Sequence, residues 1–328
     1  MDTRRMERLG IDTSVIGMGC WQIGADWGDV AEAEAMATLH AAADAGVTFF
    51  DTADVYGDGR SEKLVGRLRR ERPAGSVFVA TKMGRRANPH VAAEYNLDNL
   101  RAWNDRSRQN LGMDTLDLVQ LHCPPSSVFA TESTYDALDT MVAEGRMRAY
   151  GVSVERCDEA LAAIARPNVA SVQIILNAFR LKPLEEVLPA AAEAGVGIIA
   201  RVPLASGLLS GRYCTDTEFA ADDHRSFNRE GEAFDKGETF SGVHYGVGVE
   251  AAQEFSRLAP EGVTPAQFAL RWVVDTPGVS VAIPGARNPE QARANAAAGS
   301  LPSASAEQRD AVARLYDRRI REHVHASW

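Results

Sequence analysis

Short runs of β-branched or aromatic residues alternate with longer, Ala-rich, charge-studded segments along the whole chain, and no other feature restricts the fold as strongly. This rhythm marks βα units, whose strands lie parallel in one sheet with helices packed over it. Eight strand-like runs are readable, at 15–19, 47–50, 77–81, 116–121, 149–152, 171–175, 197–200 and 279–283. Segments of helical period follow, among them 31–45, 61–70, 99–111 and 134–144. Eight βα units within 328 residues predict a (β/α)8 TIM barrel spanning 1–328 as a single domain. An open doubly wound sheet is the alternative architecture. Ahead of the first unit, two short strands around Leu9-Gly10-Ile11-Asp12 predict an N-terminal β-hairpin that plugs one end of the barrel. One connection breaks the rhythm: the stretch 213–248, after the seventh barrel strand, is rich in Gly, Asp and Glu and reads as a long functional loop. The segment 305–322 has helical composition, with Leu315 and Ile320 on one side.

Charge and composition narrow the function classes. Thirty-five Lys and Arg against 45 Asp and Glu leave a formal charge of −10, which repels polyphosphate and argues against a nucleic-acid partner. The four cysteines, Cys20, Cys123, Cys157 and Cys214, form no Cys-x-x-Cys pair, so neither a zinc knuckle nor a disulfide framework is readable. His323 and His325 stand two apart, off a common helical face, and no metal is expected. The charged N-terminus lacks an apolar core of the signal-peptide kind, and no stretch approaches the roughly 18 apolar residues that span a bilayer. The expectation is a cytoplasmic protein with no membrane partner; the oligomeric state is not readable.

In a barrel of this type reactive groups come from the C-terminal ends of the strands. Three apolar runs end in such groups: Phe49-Phe50 leads into Asp51-Thr52-Ala53-Asp54-Val55-Tyr56-Gly57, Val79-Ala80-Thr81 into Lys82, and Val119-Gln120-Leu121 into His122. A tyrosine hydroxyl with its ordinary pKa near 10 exchanges protons poorly at neutral pH unless an ammonium stabilises the phenolate. Lys82 is placed to do so, Asp51 to keep a buried Lys82 charged, and His122 to orient a carbonyl oxygen. Together the four suit proton transfer to a carbonyl.

The same residues carry a resemblance. Asp51 to Gly57 followed by Gly59-Arg60-Ser61-Glu62, Lys82 in Ala-Thr-Lys and His122 in Gln-Leu-His resemble the signatures and catalytic tetrad of the aldo-keto reductases. Further similar stretches are Gly17-Met18-Gly19-Cys20-Trp21, Gly145 to Ser153, Gln173 with Asn177, Pro203-Leu204 with Gly207-Leu208-Leu209, and Ile283-Pro284-Gly285-Ala286-Arg287. The resemblance implies NADPH-dependent reduction of an aldehyde or ketone, such as a sugar or an aryl aldehyde, with Tyr56 as general acid, Lys82 lowering its pKa, Asp51 holding Lys82 and His122 polarising the oxygen. It implies NADP(H) without a Rossmann fingerprint, and indeed Gln22 stands where the third glycine of such a motif belongs. NAD(H) is the weaker alternative.

For the cofactor, the resemblance assigns Ser153, Gln173 and Asn177 to the nicotinamide, with Trp21 also at the cofactor site. Leu204, Ser206, Gly207 and Leu208 fall to the pyrophosphate, and Gly285, Arg287, Gln291 and Asn295 to the adenosine 2′-phosphate. The last three recur at i, i+4 and i+8 and would share one helical face. Arg201 stands where many relatives have an aromatic on the nicotinamide, Val154 replaces a common asparagine, and Gly285-Ala286 a common Lys-Ser. Trp27, Met83 and Cys123 are expected to line the pocket for a small carbonyl substrate. Two alternatives accompany this reading: a sugar dehydratase or epimerase that uses bound NADP in an internal redox cycle, and a redox-sensing NADP-binding subunit.

Overall fold

The structure, a computed structural model, describes residues 1–24 and 30–328. Strands β1 (Thr3–Met6) and β2 (Ile11–Ser14) pair antiparallel. The eight barrel strands are β3 (Met18–Gly19), β4 (Phe49–Asp51), β5 (Phe78–Met83), β6 (Leu116–His122), β7 (Met147–Ser153), β8 (Val169–Ile175), β9 (Gly197–Arg201) and β10 (Val279–Ala282). They form one sheet in sequential order with every pairing parallel. The first and last strands close on each other through parallel bridges Ile16 to Ala282 and Gly19 to Gly285, with Gly17 N–H donating to the Ala282 carbonyl at 2.8 Å. The (β/α)8 barrel is therefore closed.

Helices α1 (Glu32–Asp44), α2 (Arg60–Glu71), α3 (Leu97–Leu111), α4 (Glu132–Ala143), α5 (Cys157–Ile164) and α6 (Val187–Ala194) lie between successive strands. After β9 come a single turn α7 (His224–Phe227), then α8 (Tyr245–Ser256) and α9 (Pro265–Asp275); after β10, α10 (Pro289–Ala297), α11 (Ala306–Arg319) and the single turn α12 (Arg321–Val324). Their starts are written in the sequence. The Asn96 side chain caps α3, Thr264 and Gln267 form a reciprocal box at α9 with Pro265 in its first turn, and Ser305 and Gln308 do the same at α11.

Two separate apolar clusters expose the period-two alternation of the strands. Phe49, Ala80, Leu118, Ile199 and Val281 point into the barrel and meet Met6 from the hairpin, whereas Phe50, Val79, Val119, Ile198 and Ala282 point out beneath the helices. The hairpin is thus a floor at the N-terminal end of the barrel, as expected. Its turn is a 3-10 turn at Glu7–Leu9, so Ile11 and Asp12 belong to the second strand and not to the turn. Arg8 fastens it by donating to the carbonyls of Ala194 and Val169. The long connection is shorter than expected, because 245–248 already belong to α8, and it contains α7 and 3-10 turns at Lys236–Glu238 and Phe240–Gly242. Leu315 and Ile320 are buried, which seats the C-terminal helix. Among the described residues no helix is long and apolar enough to cross a membrane.

Candidate active site

The alternation that packs the floor also builds the mouth. Two residues beyond inward Phe49 comes Asp51, two beyond Ala80 comes Lys82, two beyond Leu118 comes Gln120 and then His122, and two beyond Ile199 comes Arg201. Each is buried, so the inward face changes from apolar to ionic over a few residues. Asp51, Lys82 and His122 are strand residues rather than residues after a strand, because β4, β5 and β6 run further than their apolar runs.

Asp51 sits at the centre. One carboxylate oxygen takes the Lys82 ammonium at 2.5 Å, and the other accepts from Gln173 Nε2 at 2.8 Å and Gln120 Nε2 at 3.2 Å. Lys82 Nζ also donates to the Thr52 carbonyl at 2.9 Å and reaches the Tyr56 hydroxyl at 3.4 Å. Burial works to strip the Lys82 proton, and Asp51 overrides it, leaving the ammonium above its ordinary pKa. Tyr56 responds differently from the expectation. Burial lifts its hydroxyl above the ordinary value, and Lys82 pulls it back without reversing the shift, so the phenol keeps its proton at neutral pH. The His122 imidazole is held neutral, its pKa pushed well down by burial and then by Arg85, Lys82 and Arg201.

Tyr56 reaches the mouth because the chain turns sharply after it. Gly57 and Asp58 are left-handed, at φ 57° and 50°, and a Cβ on Gly57 would lie 2.0 Å from the Gly24 carbonyl oxygen. Ser61 accepts from Thr52 and donates to the Cys20 carbonyl, each at 2.8 Å, while Glu62 accepts from Thr81 and Asn110. The Ser-Glu of the motif therefore ties the tyrosine loop to α2 and the barrel wall. Trp21 stacks on Tyr56 with centroids 5.9 Å apart, and His224 and Phe234 from the long connection pack against Trp21. His122 meets the Tyr56 ring edge-on at 5.8 Å.

Other expected residues fall into three groups. Ser153 and Gln173 pair in register at the ends of β7 and β8, and Cys123 Sγ lies 3.5 Å from Ser153 Oγ. The left-handed run Ala205, Ser206 and Gly207 follows β9, with Leu204 before it and the Leu208 side chain buried; Ser206 Oγ donates to the Glu238 carbonyl at 3.0 Å. Trp27 lies outside the described residues.

Several expectations need correction. Met83 follows inward Lys82, so its side chain points into the outer core and cannot line a pocket at the mouth. Asn177 donates to the Val202 carbonyl and Ser241 Oγ and accepts from Phe179 N–H, so its amide braces the long connection instead of facing a nicotinamide. Arg201 is held by Glu155 at 2.7 Å and by the Val154 carbonyl, an ion pair rather than a stacking platform. Arg287, Gln291 and Asn295 do not share one helix face, because Pro289 opens α10 and Asn288 caps it, leaving Arg287 outside. Gln291 instead accepts from Arg287 N–H, and Asn295 donates to the Gly285 carbonyl. Gly285 itself packs against the Gln22 amide, which a Cβ would strike.

Four residues of the mouth escaped the sequence reading. Gln120 was readable, lying two residues before His122 on the same inward phase. Arg85, Glu155 and Glu238 were not, since they come from three separate loops and meet only in space: Arg85 Nη2 lies 3.2 Å from Glu238, and Arg201 bridges Glu155 and Glu238. Burial and the neighbouring Glu238 push Glu155 up despite Arg201, while Arg85 and Arg201 outweigh burial and pull Glu238 down.

A closed eight-stranded barrel with a buried Asp-Lys pair reaching a half-buried tyrosine, and a neutral histidine, at its C-terminal mouth defines an enzyme of the barrel oxidoreductase class. The chain belongs to the aldo/keto reductase family, whose model matches residues 15–317. It is 30% identical over 299 residues to the aldo-keto reductase YhdN of Bacillus subtilis, covering 90% of this chain and 87% of that protein. Among solved structures it is similar to the glycerol dehydrogenase AKR11B4 from Gluconobacter oxydans, at TM-score 0.79 and 29% identity, covering 97% of this chain and 96% of the other. An aldo-keto reductase from Klebsiella pneumoniae in complex with NADPH matches at TM-score 0.69 and 25% identity, covering 94% and 92%.

Proposed function

We propose that this protein reduces an aldehyde or ketone to the alcohol at the expense of NADPH, with Tyr56 donating the proton. The observation that carries this reading is the buried relay in which Asp51 holds Lys82 charged 3.4 Å from the Tyr56 hydroxyl. A protonated phenol is the form a proton donor needs at neutral pH. Once the hydroxyl proton passes to the carbonyl oxygen, the phenolate left behind faces a fixed ammonium in a site shielded from water, where that charge is worth most. In the alcohol-oxidising direction the same atom takes the proton back. Bound NADP(H) supplies or accepts the hydride.

The residues present fit that cofactor. Ser153 and Gln173, paired in register at two strand ends, offer a hydroxyl and a side-chain amide oxygen to a carboxamide, and the left-handed backbone at 205–207, with the Tyr213 ring packed against Gly207, suits a pyrophosphate. Exposed Arg287, beside the N-terminus of α10, suits a 2′-phosphate, which favours NADP(H) over NAD(H). Trp21 and Phe234 give the substrate side an aromatic wall suited to a sugar face or an aryl ring, and the likeness to a glycerol dehydrogenase agrees with a small oxygenated substrate.

The test incubates the purified protein with NADPH and a panel of aryl, aliphatic and sugar aldehydes, and quantifies alcohol and NADP+. Reduction yields one alcohol for each NADPH consumed. An internal redox cycle converts a sugar with no net NADPH loss, and a sensor binds NADPH without turnover; either result overturns the proposal.

A further inference from the structure

We infer that the carbonyl substrate carries a carboxylate, and that Arg85 is the residue that binds it. The inference rests on the reductase reading of the same mouth. Arg85 stands three residues past Lys82, swung over the mouth where Gly84 turns the chain at φ 103° after β5. Its Nη1 lies 3.4 Å from His122 Nε2 and its Nη2 3.2 Å from Glu238. The donors presented beside the Tyr56 hydroxyl thus include a guanidinium, and a substrate held there meets a cation next to its carbonyl.

The surrounding charges set Arg85 apart. Three carboxyls, Glu155, Glu238 and Asp235, lie among three arginines, Arg85, Arg180 and Arg201. An incoming carboxylate can pair only with an arginine it can reach. Among the three arginines, Arg85 is the accessible one: its side chain is 28% exposed against 9% for Arg201, and Arg180 is buried beneath Trp328. Its contacts with Glu238 and His122 engage one N–H each of Nη2 and Nη1, leaving further guanidinium N–H donors for an incoming carboxylate. The hydride and proton add across the C=O bond, and the carboxylate leaves unchanged.

The test compares 4-oxobutanoate and 4-formylbenzoate with their methyl esters, which keep shape and remove charge. The ratio of kcat/KM for acid over ester is measured in the wild type, Arg85→Gln and Arg85→Lys, with NADPH binding by fluorescence and Tm as checks on folding. A charge-assisted bond of about 1.5–3 kcal/mol corresponds to a preference for the acid of about 10–150-fold, lost in Arg85→Gln chiefly through KM and partly restored in Arg85→Lys. Equal use of acid and ester by the wild type overturns the inference while leaving the reductase reading intact. So does a fall in Arg85→Gln that is the same for both, which makes Arg85 a support for His122. No reduction of any carbonyl removes the reductase reading itself.

Discussion

The two ends of the barrel are made from the same strands and share one alternation, yet they solve opposite problems. At the floor, Phe49, Ala80, Leu118 and Ile199 close on Met6 of the hairpin in a dry apolar plug. At the mouth, two residues further along the same strands, Asp51, Lys82, Gln120 and Arg201 are equally buried but polar or charged. Burial stabilises the first set and works against the second, which persists because each charge has a partner. Apolar packing thus resides at one end of each strand and the proposed chemistry at the other.

Substitutions at the two ends should therefore fail in different ways. The largest effect is expected from Lys82→Met, which removes the ammonium from Tyr56 and leaves Asp51 buried without its cation. Turnover should fall about 10²–10⁴-fold, and stability by about 3–5 kcal/mol. Adding Asp51→Asn should recover much of the stability, read by denaturant unfolding, and none of the turnover. At the floor, Phe49→Ala removes a fully buried ring that stacks on Phe78 at 5.5 Å. It should cost about 3–5 kcal/mol while leaving activity per folded molecule unchanged.

Asp54 sharpens the contrast, since it lies buried in the tyrosine loop beside the Val55 N–H and Glu62, and among the described residues no cation or side-chain donor pairs with its carboxyl. Burial, reinforced by Glu62, pushes its pKa up to about 7. A raised carboxyl binds its proton more tightly folded than unfolded, so its cost is absent below the unfolded value near 4 and grows as pH rises to about 7. Asp54→Asn should raise the unfolding free energy at pH 8 but not at pH 4, by at most about 4 kcal/mol, read by denaturant unfolding. Smallest is Arg287→Ala, which should weaken NADPH binding about 10–100-fold through loss of a charge-assisted bond and leave NADH binding unchanged. Fluorescence titration with both cofactors reads it.

The βα rhythm made the barrel legible, because period-two strands and period-3.6 helices are local properties of the chain. The same locality exposed Asp51, Lys82 and His122 as polar ends of apolar runs. Met83, expected in the pocket, lies next to inward Lys82 on β5, and neighbouring strand residues face opposite sides. Pro289 carried the correction for Arg287, since a proline at a first helical turn leaves the residues before it outside the helix. The Arg85, Glu155 and Glu238 cluster had no local signal at all. Nor did the anchoring of the long connection, where Trp328 donates to Asp235 across 93 residues at 2.9 Å.

The central claim is that Tyr56 is the proton donor, and single-turnover reduction by Tyr56→Phe tests it most directly. Wild type and variant are loaded with NADPH to equal, fluorescence-verified occupancy, mixed with saturating aldehyde, and followed by loss of NADPH absorbance. The account predicts aldehyde-dependent loss in the wild type and a rate lower by about 10²–10⁴-fold in the variant at unchanged NADPH affinity and Tm. A variant that turns over as fast as the wild type would contradict it.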